Sequence, residues 1–196
     1  MSGNSGGATA KIDARIRRTR DRLGDALVEL ILEKPFDEIN VQDILDRAGV
    51  GRSTFYTHYR DKDDLFLSDV EDFFQMMSTV VLRSGERSER IAPVRELFAH
   101  LSDVRQFHAA LVTAGKIHDT FELGQGHFAR AIEQRLGVLE KTRGLPPQRR
   151  AALGHAFAGA LLSLLSWWMD HGMLETPEEM DVFYHQTVVG TAIARM

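Results

Sequence analysis

A chain of 196 residues with 43% hydrophobic and 27% charged side chains and a formal net charge of −4 has the make-up of a folded globular protein, long enough to build a core without covalent staples. That balance excludes a disordered tail, a collagen-like repeat and binding to nucleic acid by bulk charge alone. The absence of cysteine excludes disulfides, thiolate metal sites and thiol nucleophiles, and it accords with a cytoplasmic location. The opening MSGNSGGATA is small and polar with no apolar run, so residues 1–10 read as a disordered leader and not as a signal peptide.

Helical spacing of apolar residues runs through almost the whole chain and no clean period-two alternation occurs, which predicts an all-α fold. A first helix from about Ala14 to Lys34 places Ile16, Leu23, Leu27, Leu30 and Ile31 on one face and ends before Pro35. Asn40 with Asp43 is an acidic variant of the capping box and opens a short helix through Ile44, Leu45 and Ala48 that ends at Gly49. After the turn Gly49-Val50-Gly51, residues Arg52 to His58 form a second short helix. Asp61 with Asp64 then opens a longer helix, Lys62 to about Leu82. Ser84–Arg90 is a polar loop and a candidate boundary between the short helices before it and the longer ones after it. Beyond it the spacing predicts helices near Ala92–Leu101, Val104–Thr113, Ile117–Thr142, Pro147–His171 and Pro177–Arg195, the last opened by Thr176, Pro177 and Glu179.

Two short helices joined by a glycine turn, with a longer helix on either side, make a helix-turn-helix. Phe55 and Tyr59 lie a turn apart and would seat the second short helix. Arg52, Ser53, Thr54, Tyr56, Thr57 and His58 then face outward, all hydrogen-bonding types and none acidic, as a base-reading and phosphate-binding surface requires. Lys62 would set a cation beside free backbone N–H groups, a place for a phosphate. The run Lys11 to Arg22 adds six basic residues against two acidic ones. Residues 1–60 carry ten basic and nine acidic residues, so a DNA contact must depend on placement.

Residues 39–67, INVQDILDRAGVGRSTFYTHYRDKDDLFL, resemble the DNA-binding signature of the TetR/AcrR family of bacterial regulators. The shared features are an I-x-x-I-A-like helix core, AGV, a TFYxHF-like run and a Lys before a Leu. Thr54, Phe55, Tyr56, His58, Lys62 and Leu65 stand where that pattern puts them, whereas Gly51 replaces a frequent Ser. The resemblance implies an all-helical homodimer with an N-terminal three-helix bundle that binds a double-stranded DNA operator. It also implies a larger C-terminal helical domain that binds a small-molecule effector and dimerises through its last two long helices. The expected division is therefore a leader 1–10, a helix-turn-helix domain 11–60 and a ligand-binding and dimerisation domain 61–196, with the helix 62–82 bridging.

The C-terminal part offers aromatic, Met and His residues that could line a pocket: Phe73, Phe74, Met77, His100, Phe107, His108, Phe128 and Trp167, suiting a mostly apolar ligand. No His pattern such as H-E-x-x-H or paired Glu-x-x-His appears, so neither a metal site nor an enzyme is expected, and no cofactor. Gly124-Gln125-Gly126 mimics part of a dinucleotide fingerprint but follows a helix and not a strand. Ala151 to Met169 carries no Asp, Glu, Lys or Arg, yet it holds Gly154, His155, Ser163 and Ser166. It reads as the centre of a bundle or an oligomer interface and not as a membrane span. Small residues at Gly154, Ala156, Ala158, Gly159 and Ala160, and at Gly190 and Ala194, let another helix come close. The function expected is a ligand-released DNA-binding regulator, most simply a repressor. The alternative is a helical ligand-binding or adaptor protein without sequence-specific DNA binding.

Overall fold

A computed structural model describes residues 5–83 and 88–190, with the side chains of residues 5–13, 81, 83 and 107 left out. Among the described residues the chain is helical and contains no strand. It divides into two compact units: residues 1–69 with 106–116, and residues 70–105 with 117–196. The first unit thus runs through residue 69, past the expected 60/61 division, and takes in the distant segment 106–116.

The first unit begins with α1, Ser5–Glu33. This helix starts inside the leader expected to be disordered, because Ala8, Ala10 and Lys11 are good helix formers that carry the run back across Gly6-Gly7. Leu23, Ala26, Leu27, Leu30 and Ile31 are buried, but Ile16 is 39% exposed; the expected apolar face begins only at Leu23. After Pro35, a single 3-10 turn at Phe36–Glu38 buries Phe36. Helix α2, Val41–Ala48, opens with the predicted capping box, in which the Asn40 side chain accepts from the Asp43 N–H and the Asp43 carboxylate from the Asn40 N–H. Lys34 pairs with that same carboxylate at 2.7 Å, which together with the cap holds the Asp43 carboxyl below the usual carboxylate range. Helix α3 spans Arg52–His58 and helix α4 Lys62–Arg83. Asp61 caps α4 by accepting from the Asp64 N–H at 2.8 Å, while Asp64 turns back to the Arg60 N–H.

Most of α6, Arg105–Thr113, also belongs to the first unit. Just past its end, Lys116 pairs with Asp63 and stands 5.0 Å over the Phe36 ring, a cation–π contact that sequence spacing could not announce.

The second unit holds the rest of α4 with α5, Val94–Asp103, α7, Ile117–Val138, α8, Pro147–Asp170, and α9, Pro177–Phe183. Helix α8 is long and apolar enough to cross a membrane by composition alone. Phe157, Ala158, Leu161, Leu162, Leu165 and Trp168 are nonetheless buried within the protein, as befits a core helix. Gly154, expected in a strip open to another helix of a partner, is consumed inside the chain: a Cβ there would meet the Ala129 carbonyl oxygen of α7 at 2.5 Å. Thr176 and Glu179 form the predicted capping box of α9.

The long last helix expected to reach Arg195 instead changes at Tyr184 into a π-helical stretch, Tyr184–Gly190, and Ala194 and Arg195 lie outside the described residues. Two demands favour the looser winding there. The Tyr184 hydroxyl donates to the Phe157 carbonyl at 2.8 Å, and the His185 Nε2 accepts from the Ile91 N–H at 3.1 Å. The β-branched Thr187, Val188 and Val189 also disfavour a regular α-helix. Arg90 ties the same region together through Glu96 at the start of α5 and Asp181 of α9, and this pairing holds the Glu96 carboxyl down at about 2.

The packing of α7 on α8 makes a sharp contrast between two glycines. Gly154→Ala should lower the unfolding free energy by about 1–3 kcal/mol, the cost of overpacking a tight contact. Gly159→Ala, whose nearest atom would lie 3.9 Å away, should leave it unchanged or raise it through helix propensity. Urea midpoints of both variants check this.

Candidate nucleic-acid interface

Helix α2 closes on Gly49 in the left-handed region, φ 60°, where a Cβ would be strained. Gly51 then caps α3 with its carbonyl, which accepts from the Thr54 and Phe55 N–H groups at 3.0 and 3.1 Å. The frequent Ser of the TetR/AcrR pattern is thus dispensable, because glycine reaches the extended conformation a cap needs without a side-chain bond. One short turn therefore sets α3 against α2.

The seven residues of α3 are too few to hold a helix by themselves. Phe55 is fully buried and Tyr59, just past the end, is 4% exposed. Two arginines of α1 hold either end. The Arg22 guanidinium donates to the carbonyl oxygens of Ala48 and Gly49, ahead of α3. Arg20 donates from Nε to the Tyr59 hydroxyl at 3.0 Å and from Nη2 to the Ser68 hydroxyl at 2.8 Å. Burial pushes the Tyr59 phenol up, so it stays protonated and accepts the guanidinium. These two arginines, counted by sequence within a basic surface, are bracing residues; their partners lie 26 and 39 positions away.

With α3 seated, Arg52, Ser53, Thr54, Tyr56 and Thr57 are exposed, as expected, and His58 is half-buried. The Arg52 guanidinium lies 6.0 Å over the Tyr56 ring. The Thr57 hydroxyl donates to the Ser53 carbonyl at 2.9 Å and keeps its lone pairs available.

Lys62 is placed differently from the expectation. Its ammonium donates to the carbonyl oxygens of Phe36, Asp37 and Ile39 at 2.7, 3.3 and 2.8 Å and stands 4.6 Å from the Phe36 ring centre. All three donors of an ammonium are thereby used. The reason is electrostatic: the 3-10 turn leaves its carbonyls pointing at the start of α4, where a cation satisfies them better than water does. Lys62 locks the turn before α2 and has no donor left for a phosphate.

The expected ligand residues separate into groups. Phe74, Met77 and Phe128 are buried; Phe74 meets Phe128 edge-on at 5.5 Å and packs against the bare face of Gly124, where a Cβ would lie 2.7 Å from the ring. Half-buried Phe73 stands 4.7 Å from His100 between ring centres, and burial holds that imidazole below its usual value, so it is neutral at pH 7. Trp167 is elsewhere: 44% exposed and stacked on His171 at 4.7 Å, it borders a groove of about 390 Å³ with Leu164, Glu175, Glu179, Met180 and Phe183. His108 belongs to the first unit, and the Phe107 side chain lies outside the described residues. Sequence reasoning passed over Ser78, a buried hydroxyl on α4 with no hydrogen-bond partner among the described residues; a lone Ser in a helix carries no pattern that marks it. No cluster of three metal-ligating side chains occurs among the described residues.

A short helix fixed by a glycine turn and presenting an acid-free, hydrogen-bonding face defines a helix-turn-helix module. Residues 23–68 match the family described as bacterial regulatory proteins, tetR family. It is 34% identical over 62 residues to the HTH-type transcriptional regulator YxbF of Bacillus subtilis (strain 168), covering 31% of this chain and 16% of that protein. It is 25% identical over 93 residues to the biofilm operon icaADBC HTH-type negative transcriptional regulator IcaR of Staphylococcus epidermidis, covering 47% and 50%. The chain thus spans half or less of the length of these curated relatives. Among solved structures, a TetR transcriptional regulator from Streptococcus agalactiae 2603V matches with a TM-score of 0.61 at 24% identity over 92% of this chain and 98% of that one. The dihydroxyacetone kinase operon activator DhaS matches at 0.60, with 16% identity over 90% and 95%. These likenesses establish a common fold.

The inward use of Lys62 has a measurable consequence. Lys62→Ala should lower stability by roughly 1.5–3 kcal/mol, the loss of bonds from a charged donor to otherwise poorly solvated carbonyls, seen as a lower urea midpoint. Its DNA affinity, measured where the variant is folded, should keep the salt dependence of the unaltered protein.

Proposed function

We propose that the protein is a DNA-binding transcriptional regulator, a repressor in which two copies of α3 enter successive major grooves of a palindromic operator. The observation that carries this reading is the exposed face of α3, Arg52, Ser53, Thr54, Tyr56 and Thr57, held outward by the buried Phe55. Arg52, exposed at the start of α3, suits a guanine edge. Ser53 and Thr57 suit neighbouring bases, and the Tyr56 hydroxyl and His58 suit phosphate oxygens. IcaR, a negative regulator, supports repression as the direction.

A twofold partner is needed for two helices to read one site, and the surface of α8 and α9 supports it. Ala152, Ala156 and Ser163 are exposed along one side of α8, with Trp167, Val182 and Phe183 exposed at 44%, 51% and 47% beside them. Small residues flanked by large apolar ones let two helices approach closely and then bury area. The effector is a small, mostly apolar molecule seated among Phe73, Phe74, Met77 and Phe128. Neutral His100, and the unpaired hydroxyl of Ser78, would orient its polar group. Helix α4 supplies residues to both units, so a ligand that favours one setting of α4 changes DNA affinity, and DNA changes ligand affinity by the same factor.

Selection of duplexes from a random pool should recover a palindromic sequence with half-sites one helical turn apart, about 34 Å. Arg52→Ala should then relax preference at one base pair of each half-site at a cost of about 1–3 kcal/mol, whereas Tyr56→Phe should weaken all sequences alike. Recovery of no preferred sequence would overturn the reading. For the assembly, sedimentation at micromolar concentration should give a dimer mass, and Phe183→Glu together with Trp167→Glu should give a monomer that remains helical.

A further inference from the structure

The basic residues at the end of α1 sort into two kinds. Arg20 and Arg22 are spent on bracing α3, but Arg15, Arg17 and Arg18 are exposed, and their guanidiniums make no hydrogen bond or ion pair among the described residues; the Arg15 carbonyl accepts from the Thr19 hydroxyl at 3.1 Å. Positions 15, 18 and 22 are spaced by three and four, so they share one face of the helix. The structure shows which face it is, because Arg22 reaches the Ala48 and Gly49 carbonyls immediately ahead of α3. At a rise of about 1.5 Å per residue, Arg18 and Arg15 lie about 6 and 10 Å further along the axis on that face, where both are exposed. The nearest acids are Asp21, three positions past Arg18 toward one flank of that face, and Asp25, three past Arg22, both exposed. The family match begins at residue 23, so this stripe lies upstream of the matched segment.

We propose that Arg15 and Arg18 form a second nucleic-acid contact, a clamp on the phosphate backbone of the duplex that α3 reads. This rests on the DNA-binding reading above. A row of uncommitted guanidiniums along the helix face that meets the helix-turn-helix turn is complementary to a phosphate strand, and guanidinium binds phosphate oxygens in pairs. The clamp resolves a difficulty of charge. A chain of net −4 whose Lys62 is turned inward needs cations placed near the reading helix, and Arg15 and Arg18 would add to Arg52 there. Arg17, two positions on from Arg15 and so on a different side of the same helix, is a built-in control of equal charge.

The test follows affinity for a duplex selected by the unaltered protein from a random pool, by fluorescence anisotropy across a potassium chloride series. Each phosphate contact adds about 0.9 to the slope of log affinity against log salt, so Arg15→Ala with Arg18→Ala should reduce its magnitude by about 1.8 per subunit without changing base preference. Arg15→Lys with Arg18→Lys should restore most of the slope, and Arg17→Ala should leave it nearly unchanged. Far-ultraviolet circular dichroism checks that each variant stays helical, and Arg15→Gln with Arg18→Gln repeats the test should the alanine pair unfold. An unchanged slope in the double variant, or an equal loss in Arg17→Ala, overturns the clamp while leaving α3 as the reader. If the unaltered protein selects no duplex, the DNA-binding reading fails and the clamp with it.

Discussion

Everything the N-terminal unit can do depends on holding a seven-residue helix in one orientation. Such a helix is not stable alone, and burial of Phe55 and Tyr59 supplies attachment along one side only. Arg20 and Arg22 remove the remaining freedom by gripping the Tyr59 hydroxyl after α3 and the Ala48 and Gly49 carbonyls before it. Both grips come from a single helix, α1, so the two ends of the reader share one rigid reference. Carbonyls at the end of α2 that would otherwise lack partners are satisfied by the same contact.

Charge is placed sparingly. The Lys62 ammonium faces three carbonyls and the Phe36 ring, Lys116 faces Asp63 and the same ring, and Lys34 faces Asp43. Arg47 faces Glu29 and Glu33. Each of these cations supports local geometry around the 3-10 turn and α2. The exposed arginines and hydroxyls of α3 and the outer end of α1 are the groups proposed for a nucleic acid, and an acidic chain can carry such a module because phosphate contact needs a few well-placed donors and not a high overall charge.

The second unit is organised by close approach. Gly154 admits the backbone of α7 and Gly124 admits the Phe74 ring, so α4, α7 and α8 interlock around Phe74 and Phe128. At the other side, the Arg90 guanidinium gathers Glu96 and Asp181, and His185 takes the Ile91 N–H. The unwound π-helical stretch is a consequence of these cross-links, since both the Tyr184 hydroxyl and the His185 ring reach partners on other segments of the unit.

The sequence by itself determined the helical class, the positions of most helix ends and the helix-turn-helix, because each is written in local chemistry. Asn40 with Asp43 and Thr176 with Glu179 cap from three residues away, Pro35 stops α1, and the outward face of α3 follows from the period of Phe55 and Tyr59. Tertiary structure decided what each cation does, since the same Lys or Arg can meet a phosphate, a carbonyl or water depending on a partner many residues distant. Lys62 was legible as a charge near a helix start but not as a ligand for three carbonyls, and Arg20 and Arg22 as surface charge but not as braces. It also decided that Gly154 serves a contact within the chain, that Trp167 stands apart from Phe74 and Phe128, and that α6 belongs to the N-terminal unit. Those outcomes depend on which faces meet across long separations, and local periodicity carries no record of that choice.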